Sequence, residues 1–169
     1  MSGVVVRWAS VDDAPAMFDY IERNREFLAP FEPARGDDHF TLQSTATRLA
    51  DEARLEFVAV DGDRIVGQVA ISNVARAPVY LNCTLGYSVD EHVQGRGIAT
   101  SMVRHAVHHA FAVERLHRVE AGTLVHNVAS QRVLEKAGFT RIGISPRLVK
   151  IAGSWQDHVL FAITREDVD

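Results

Sequence analysis

Hydrophobic positions change period several times along the chain, and each change marks an element. Val4 to Trp8 is a short β-branched run and reads as a strand. Behind it Ala16, Met17, Tyr20, Ile21 and Leu28 recur at helical spacing, and Ser10 with Asp13 three residues on resembles a capping box at the helix start. Pro30 and Pro33 end that helix, because proline cannot donate to the helical ladder. After a loop from Pro33 to Asp38, Thr41 to Ala53 reads as a second helix with Leu42, Thr45 and Leu49 on one side.

From Glu56 the period shortens. Phe57 to Val60 runs into Asp61-Gly62, suited to a tight hairpin, and Ile65 to Ile71 returns as a second strand. A further β-rich stretch spans Val79 to Val89. The rest alternates: a helix from Gly97 to about Val113, a strand at about Arg118 to Val125, and a helix from about Ala129 to Ala137 stopped by Gly138. A strand from Phe139 and a last one at Val159 to Thr164 flank a closing hairpin around Gly153. This order predicts an α+β (mixed α/β) fold: one twisted mixed sheet of about seven strands with helices on both faces.

Composition narrows the class without naming a function. The 169 residues suit one domain over 1–169, and hydrophobic (47%) and charged (24%) residues are balanced as in globular proteins. No apolar run approaches the roughly 18 residues of a membrane span. The single cysteine, Cys83, cannot form an internal disulfide, and the start of the chain is not signal-like; both point to a cytoplasmic setting. A net charge of −4 argues against direct nucleic-acid binding and suits a basic peptide better.

The most informative segment is Tyr87-Ser88-Val89-Asp90-Glu91-His92-Val93-Gln94-Gly95-Arg96-Gly97-Ile98-Ala99-Thr100, where a strand enters a glycine-containing loop that opens a long helix. The first N–H groups of a helix lack internal partners and the helix dipole favours negative charge there, so a diphosphate suits this geometry. A Walker loop needs Gly-Lys-Ser/Thr, and there is no lysine here. A dinucleotide fingerprint is met at Gly95 and Gly97 but has Thr100 at its third glycine; Glu120, near the distance of a ribose-binding carboxylate, keeps that alternative open. The third match is the acetyl-CoA loop pattern Gln/Arg-x-x-Gly-x-Gly/Ala, satisfied by Gln94-Gly95-Arg96-Gly97-Ile98-Ala99.

Further along, Asn127 and Ser130 stand three apart at the start of a helix that ends in Ala137-Gly138-Phe139. Asn as N-cap, Val133 and Leu134 as core and Gly138 as C-cap account for that pattern structurally, and such roles do not exclude function. The order of diphosphate loop, helix, strand and Asn-x-x-Ser helix closely resembles the GNAT acetyltransferase superfamily. Asn24 to Pro33, Ser72-Asn73-Val74, Leu85-Gly86-Tyr87-Ser88 and Gly153 to Leu160 resemble its RimJ/RimL-type branch, which acetylates protein N-termini.

The resemblance implies a GNAT fold with a splayed strand pair that binds acetyl-CoA as acetyl donor, with no metal. It implies that strand Leu85 to Val89 pairs with pantetheine, with Tyr87 and Ser88 beside it. The amides of Gln94, Gly95, Arg96, Gly97, Ile98, Ala99 and Thr100 would hold the diphosphate, and a backbone N–H near Val89 would polarise the thioester. Asn127 would contact pantetheine, and Ser130 would hydrogen-bond or protonate the leaving thiolate. Many relatives carry glutamate on the strand before Gly-Tyr, where this chain has Thr84. Glu32 is then the candidate to bind or deprotonate the amine through water, in balance with a plain solvated loop carboxylate. Phe31 (where tryptophan is commoner), Asn73 and Asp157 are expected on the acceptor side. An α-amine, with a pKa of about 7.7–8.0, needs no strong base.

Two other GNAT readings stay open: acetylation of a small-molecule amine, such as an amino acid, polyamine or antibiotic, and an acetyl-CoA sensor without turnover. The acceptor implied first is a protein or peptide N-terminus, ribosomal proteins included; the oligomeric state stays open, with a homodimer among the options because the superfamily often dimerises. His105, His108 and His109 lack the carboxylate of an HExxH zinc site, and Cys83 reads as a buried strand residue rather than a nucleophile.

Overall fold

A computed structural model describes residues 3–168, so Met1, Ser2 and Asp169 of the expected 1–169 domain lie outside the described residues. Seven strands form one sheet: β1 (Val5–Trp8), β2 (Leu55–Asp61), β3 (Arg64–Ala77), β4 (Tyr80–Val89), β5 (Arg118–Leu124), β6 (Thr140–Ile151) and β7 (Ser154–Thr164). Their spatial order is β1-β2-β3-β4-β5-β7-β6, and the β4–β5 pair is parallel within an otherwise antiparallel sheet. The parallel pair needs a crossover, which helix α3 (Ile98–Ala112) supplies. Helices α1 (Ala14–Leu28) and α2 (Leu42–Leu49) lie on one face of the sheet, and α3 and α4 (Val128–Lys136) on the other.

The larger core forms under α3, where Ile98, Met102, Val103, Ala106, Val107 and Ala110 repeat at helical spacing and meet Val69, Leu85, Val119 and Phe161 from the sheet. Burying each of the larger side chains stabilises by about 1.5–3 kcal/mol. Leu134, fully buried in the same cluster, anchors α4 and thereby the segment that starts with Asn127. A second cluster, Met17, Tyr20, Val58 and Ile65, seats α1 on the opposite face. The expected capping box is present: the Ser10 N–H donates to Asp13 Oδ2 at 2.8 Å, and Asp13 in turn accepts from the Arg7 guanidinium.

Element types agree with the hydrophobic pattern, while several lengths differ. The second helix stops at Leu49 instead of Ala53, because the chain turns at Asp51, whose carbonyl accepts from Arg54 N at 3.0 Å. Leu42, placed by spacing on the apolar side, is exposed, and Thr45 is the residue that packs inward. β3 runs on past Ile71 to Ala77 through an irregularity between Ser72 and Ala75. That bulge hid the strand from a period-two reading, because the alternation is broken there. Likewise β7 begins at Ser154, five residues before the apolar run. Among the described residues no helix is long and apolar enough to cross a membrane.

Candidate active site

The site begins where β4 and β5 part. Their pairing covers Asn82–Leu85 against Arg118–Ala121, yet β4 continues to Val89 and β5 to Leu124. The diverging ends leave a gap between two parallel strands, as the splayed pair was expected to do. Asp90 N donates to Val66 O on β3 at 2.9 Å, so by strand alternation the N–H of Val89 turns the other way, toward the gap. That orientation suits a donor aimed at a carbonyl held between the strands.

At the top of the gap the chain makes a short turn, Glu91–Val93, and then passes Gly95 (φ 75°) and Gly97 (φ 78°) into α3. Both glycines occupy the left-handed region, which a side chain disfavours, and a Cβ at either would meet no protein atom within 4 Å. The open side of the loop is therefore available to a ligand. The first α3 bond runs from Ser101 N to Gly97 O at 3.0 Å, so the N–H groups of Ile98, Ala99 and Thr100 have no acceptor inside the helix. The Gln94 side chain closes the loop on itself, donating to Val89 O at 2.9 Å and Asp90 O at 3.1 Å. Arg96 reaches the other way and lies 3.6 Å from Asp61. A diphosphate fits this set of aligned, free amides beside the positive end of a helix dipole.

On the α3–α4 face, Tyr87 Oη lies 2.7 Å from Ser130 Oγ and donates to Ser130 O at 3.1 Å. Burial pushes the Tyr87 hydroxyl up to about 12 against the lowering influence of its bond to Ser130, so it stays protonated at neutral pH. Asn127 caps α4: its Oδ1 accepts from Ser130 N at 3.1 Å. Tyr87, remote in sequence, is thereby brought to the Asn127–Ser130 helix start beside the gap.

Ser88, next to Tyr87, points to the other face. Its hydroxyl accepts from Tyr20 Oη at 2.9 Å and sits 3.3 Å from Gln68 Nε2, and by the same alternation its backbone pairs with Gln68 on β3, so Ser88 is used inside the fold and the backbone groups of Tyr87 and Val89 are the ones that face the gap. The same face carries Thr84, whose hydroxyl accepts from Asn73 Nδ2 at 2.9 Å and lies 3.2 Å from Ser72 Oγ. Asn73 (φ 52°) owes this reach to the β3 bulge. Thr84 pairs in register with Glu120, whose carboxylate is held by Arg118 Nε at 2.7 Å. This places Glu120 mid-strand on the sheet and away from a strand's C-terminal end, where a ribose ligand would be met.

The loop after α1 closes toward the far side of the gap. Phe31 lies 6.4 Å, centroid to centroid, from His126 beside Asn127, and Glu32 follows it. Burial raises the Glu32 carboxyl above the ordinary range, opposed by the charges of Arg35 and Arg48. Asp157 accepts from Arg147 N at 2.8 Å and supports the irregular part of β6, on the opposite face from buried His158. Cys83 is fully buried and its thiol is pushed up to about 12, chiefly by burial, which suits packing and not nucleophilic chemistry. His105 and His109 stack on Phe57, at 4.9 and 5.0 Å.

Sequence reasoning did not single out Tyr20, Arg23, Asn24 or Asp90, which meet at the end of β4. A usable signal was present: polar groups at i, i+3 and i+4 on a helix face that also carries buried apolar residues.

Comparison with known proteins agrees with this geometry. The family model described as an acetyltransferase (GNAT) domain matches residues 4–140. A probable N-acetyltransferase, YjcK of Bacillus subtilis, is 37% identical over 97% of this chain and 95% of its own. The [ribosomal protein uS5]-alanine N-acetyltransferase of Escherichia coli is 32% identical over 97% of this chain and 89% of its own. Among solved structures, Mycobacterium smegmatis RimJ in complex with CoA-disulfide superposes with a TM-score of 0.88 at 31% identity, covering 98% of this chain and 83% of that one. The chain belongs to the GNAT acetyltransferase family and is an N-acetyltransferase of RimJ/RimL-like type.

Proposed function

We propose that this protein, acting as one domain over residues 1–169 in the cytoplasm, transfers acetyl from acetyl-CoA to the α-amine of a protein or peptide N-terminus. The observation that carries the reading is the β4–β5 gap, bordered by the left-handed glycine loop above and by Tyr87 and Ser130 at one side. Support for the donor comes from the CoA complex of the RimJ relative, and support for the acceptor from the uS5-alanine specificity in the name of the Escherichia coli relative.

Acetyl-CoA supplies an activated thioester carbonyl, at which a C–N bond forms to the neutral amine as the C–S bond breaks. In this reading the amides of residues 94–100 bind the diphosphate, with the Gln94 side chain holding the loop closed. The backbone groups of Tyr87 and Val89, with Ser88 between them tying the strand to β3, hold the pantetheine arm, and the Val89 N–H polarises the carbonyl oxygen. The Asn127 carboxamide NH2 donates to pantetheine while its oxygen caps α4. Ser130 meets the departing thiolate, with Tyr87 donating to Ser130. Glu32 receives the amine's proton through water, Asn73 and Phe31 line the acceptor side, and Asp157 bounds it at the β6–β7 hairpin. No carboxylate stands at Thr84, and an α-amine with a pKa of about 7.7–8.0 releases its proton without one.

The test is thiol release from acetyl-CoA with mass detection of the product. The acceptors are peptides with free Ala, Ser or Met N-termini, the same peptides N-blocked but carrying lysine, and small amines. Acetylation confined to free N-termini is expected. Turnover only on small amines would keep the family chemistry and sink the protein substrate, and tight acetyl-CoA binding with no turnover would favour a sensor.

A further inference from the structure

The donor side of the site depends on a strand end that has lost one neighbour. Beyond Leu85 the outer edge of β4 no longer pairs with β5, and β3 alone holds it within the sheet. Three side chains of α1 grip this end from the face opposite α3. Tyr20 Oη donates to Ser88 Oγ at 2.9 Å. Arg23 Nε donates to Asp90 Oδ2 at 2.6 Å, and its Nη2 donates to Ile65 O on β3. Asn24 Oδ1 accepts from Glu91 N at 3.0 Å, while its Nδ2 donates back to Tyr20 O at 2.9 Å. Tyr20, Asn24 and Asp90 are all buried to 1% exposure or less.

Apolar docking of α1 would not require this pattern. Met17 and Tyr20 already seat the helix, and a buried carboxylate is costly unless it is paired. Burial alone would raise the Asp90 carboxyl; the His92 N–H, Arg23 and Asn24 outweigh that and hold it below the usual carboxylate range. Asp90 also starts the next piece of chain. Its Oδ1 accepts from His92 N at 3.0 Å as the cap of the turn Glu91–Val93, and its carbonyl accepts from Gln94. The glycine loop is therefore suspended from residues 88–91, and α1 fixes those residues.

We infer that Arg23 is a positioning residue for donor binding: acting through Asp90, together with Tyr20 and Asn24, it sets the loop that carries Gly95 and Gly97. The inference rests on the acetyl-CoA reading above. It also gives α1 two duties, because the same helix leads into Phe31 and Glu32 on the acceptor side.

The variants are Arg23→Gln and Asp90→Asn, with Arg23→Lys as partial rescue and Asp19→Asn as control. Asp19 pairs with Arg23 at 3.1 Å from an exposed position, so its loss leaves the buried contact in place. CoA is titrated by calorimetry, and amide hydrogen exchange is followed in the ligand-free protein. The expected result for both main variants is a CoA Kd raised about tenfold or more, with kcat at saturating acetyl-CoA within about threefold of wild type. Exchange should quicken over residues 88–97 in particular, Arg23→Lys should recover part of the affinity, and Asp19→Asn should match wild type. Asp90→Asn retains an oxygen for the His92 cap and carries the test if Arg23→Gln does not fold. Folded variants with wild-type CoA affinity and unchanged exchange at 88–97 would overturn the inference, as would exchange quickened evenly across the whole chain. Wild-type protein that fails to bind CoA would overturn the donor reading, and the exchange measurement would then decide the role of Arg23 alone.

Discussion

Tyr87 and Ser130 are 43 positions apart in sequence, and their hydroxyl oxygens lie 2.7 Å from each other. One stands on β4 and the other in the first turn of α4, so their contact ties the helix to the strand beside the gap left by the splayed strands. A serine hydroxyl alone is free to rotate; the contact with the buried, protonated Tyr87 hydroxyl fixes its orientation.

If Ser130 assists thiolate departure, Ser130→Ala lowers kcat by about a hundredfold while acetyl-CoA affinity changes little. Tyr87→Phe removes both hydrogen bonds to Ser130 and is expected to lower kcat by about tenfold. Steady-state kinetics beside direct CoA titration make the check; an unchanged kcat in Ser130→Ala removes that residue from the mechanism.

The Glu32 carboxyl, raised by burial, should show in the pH profile. The ionised form is the competent one, so kcat/KM falls as pH drops through its folded-state value, which lies above the ordinary value of about 4.3. Glu32→Gln should abolish that acidic limb and leave a second limb set by the acceptor's own amine. A profile identical in the two proteins would assign Glu32 to plain loop structure.

Gly97 at φ 78° heads α3 with open space where a Cβ would be. Gly97→Ala should therefore lose about 1 kcal/mol of stability from the backbone alone. It should also weaken CoA binding, because the methyl group enters the ligand's space. Denaturant melts and CoA titration separate the two effects, and lower stability with intact affinity would argue against close approach of the ligand at that position.

The pair Arg7–Asp13 supplies an acid-sensitive contact at the start of the fold, with oxygen and nitrogen 2.6 Å apart. The hydrogen bond from Arg7 is the main cause that holds the Asp13 carboxyl below its ordinary value, against burial. A depressed carboxyl contributes stability that is present above the unfolded value, about 3.9, and is lost as pH falls through the folded one. Asp13→Asn should thus lower stability at neutral pH and narrow its loss on acidification below about pH 4. Parallel melts across that range, with equal slopes for both proteins, would count against the linkage.

The loop and the α4 motif were legible because their chemistry is local. Gly95 and Gly97 announce left-handed backbone wherever they lie, and Asn127 with Ser130 announces a capped helix start. Phe57 to Val60 and Ile65 to Ile71 were readable as strands because both faces of each are packed, which makes them short apolar runs bounded by turn residues. The continuation of β3 and the early part of β7 were not, because a bulge in one and exposed polar residues in the other erase the alternation. Asp157 shows a related limit: no local pattern announced that its carboxylate accepts from the Arg147 N–H in the β6–β7 hairpin.

By itself the sequence determined the elements, their order, the glycine turn that opens α3 and the family, since propensity, capping and glycine conformation act within a few residues. The tertiary structure alone decided which groups meet: Tyr87 with Ser130, Ser88 with Tyr20, Asn73 with Thr84, Arg23 with Asp90. Except for Asn73 and Thr84, which meet across the β3 bulge, those partners are separated by long stretches of chain, and their meeting depends on where β4 and β5 stop pairing and how α1 lies across the sheet. Sheet register and helix docking are set by burial summed over the whole core, a quantity that no local pattern carries.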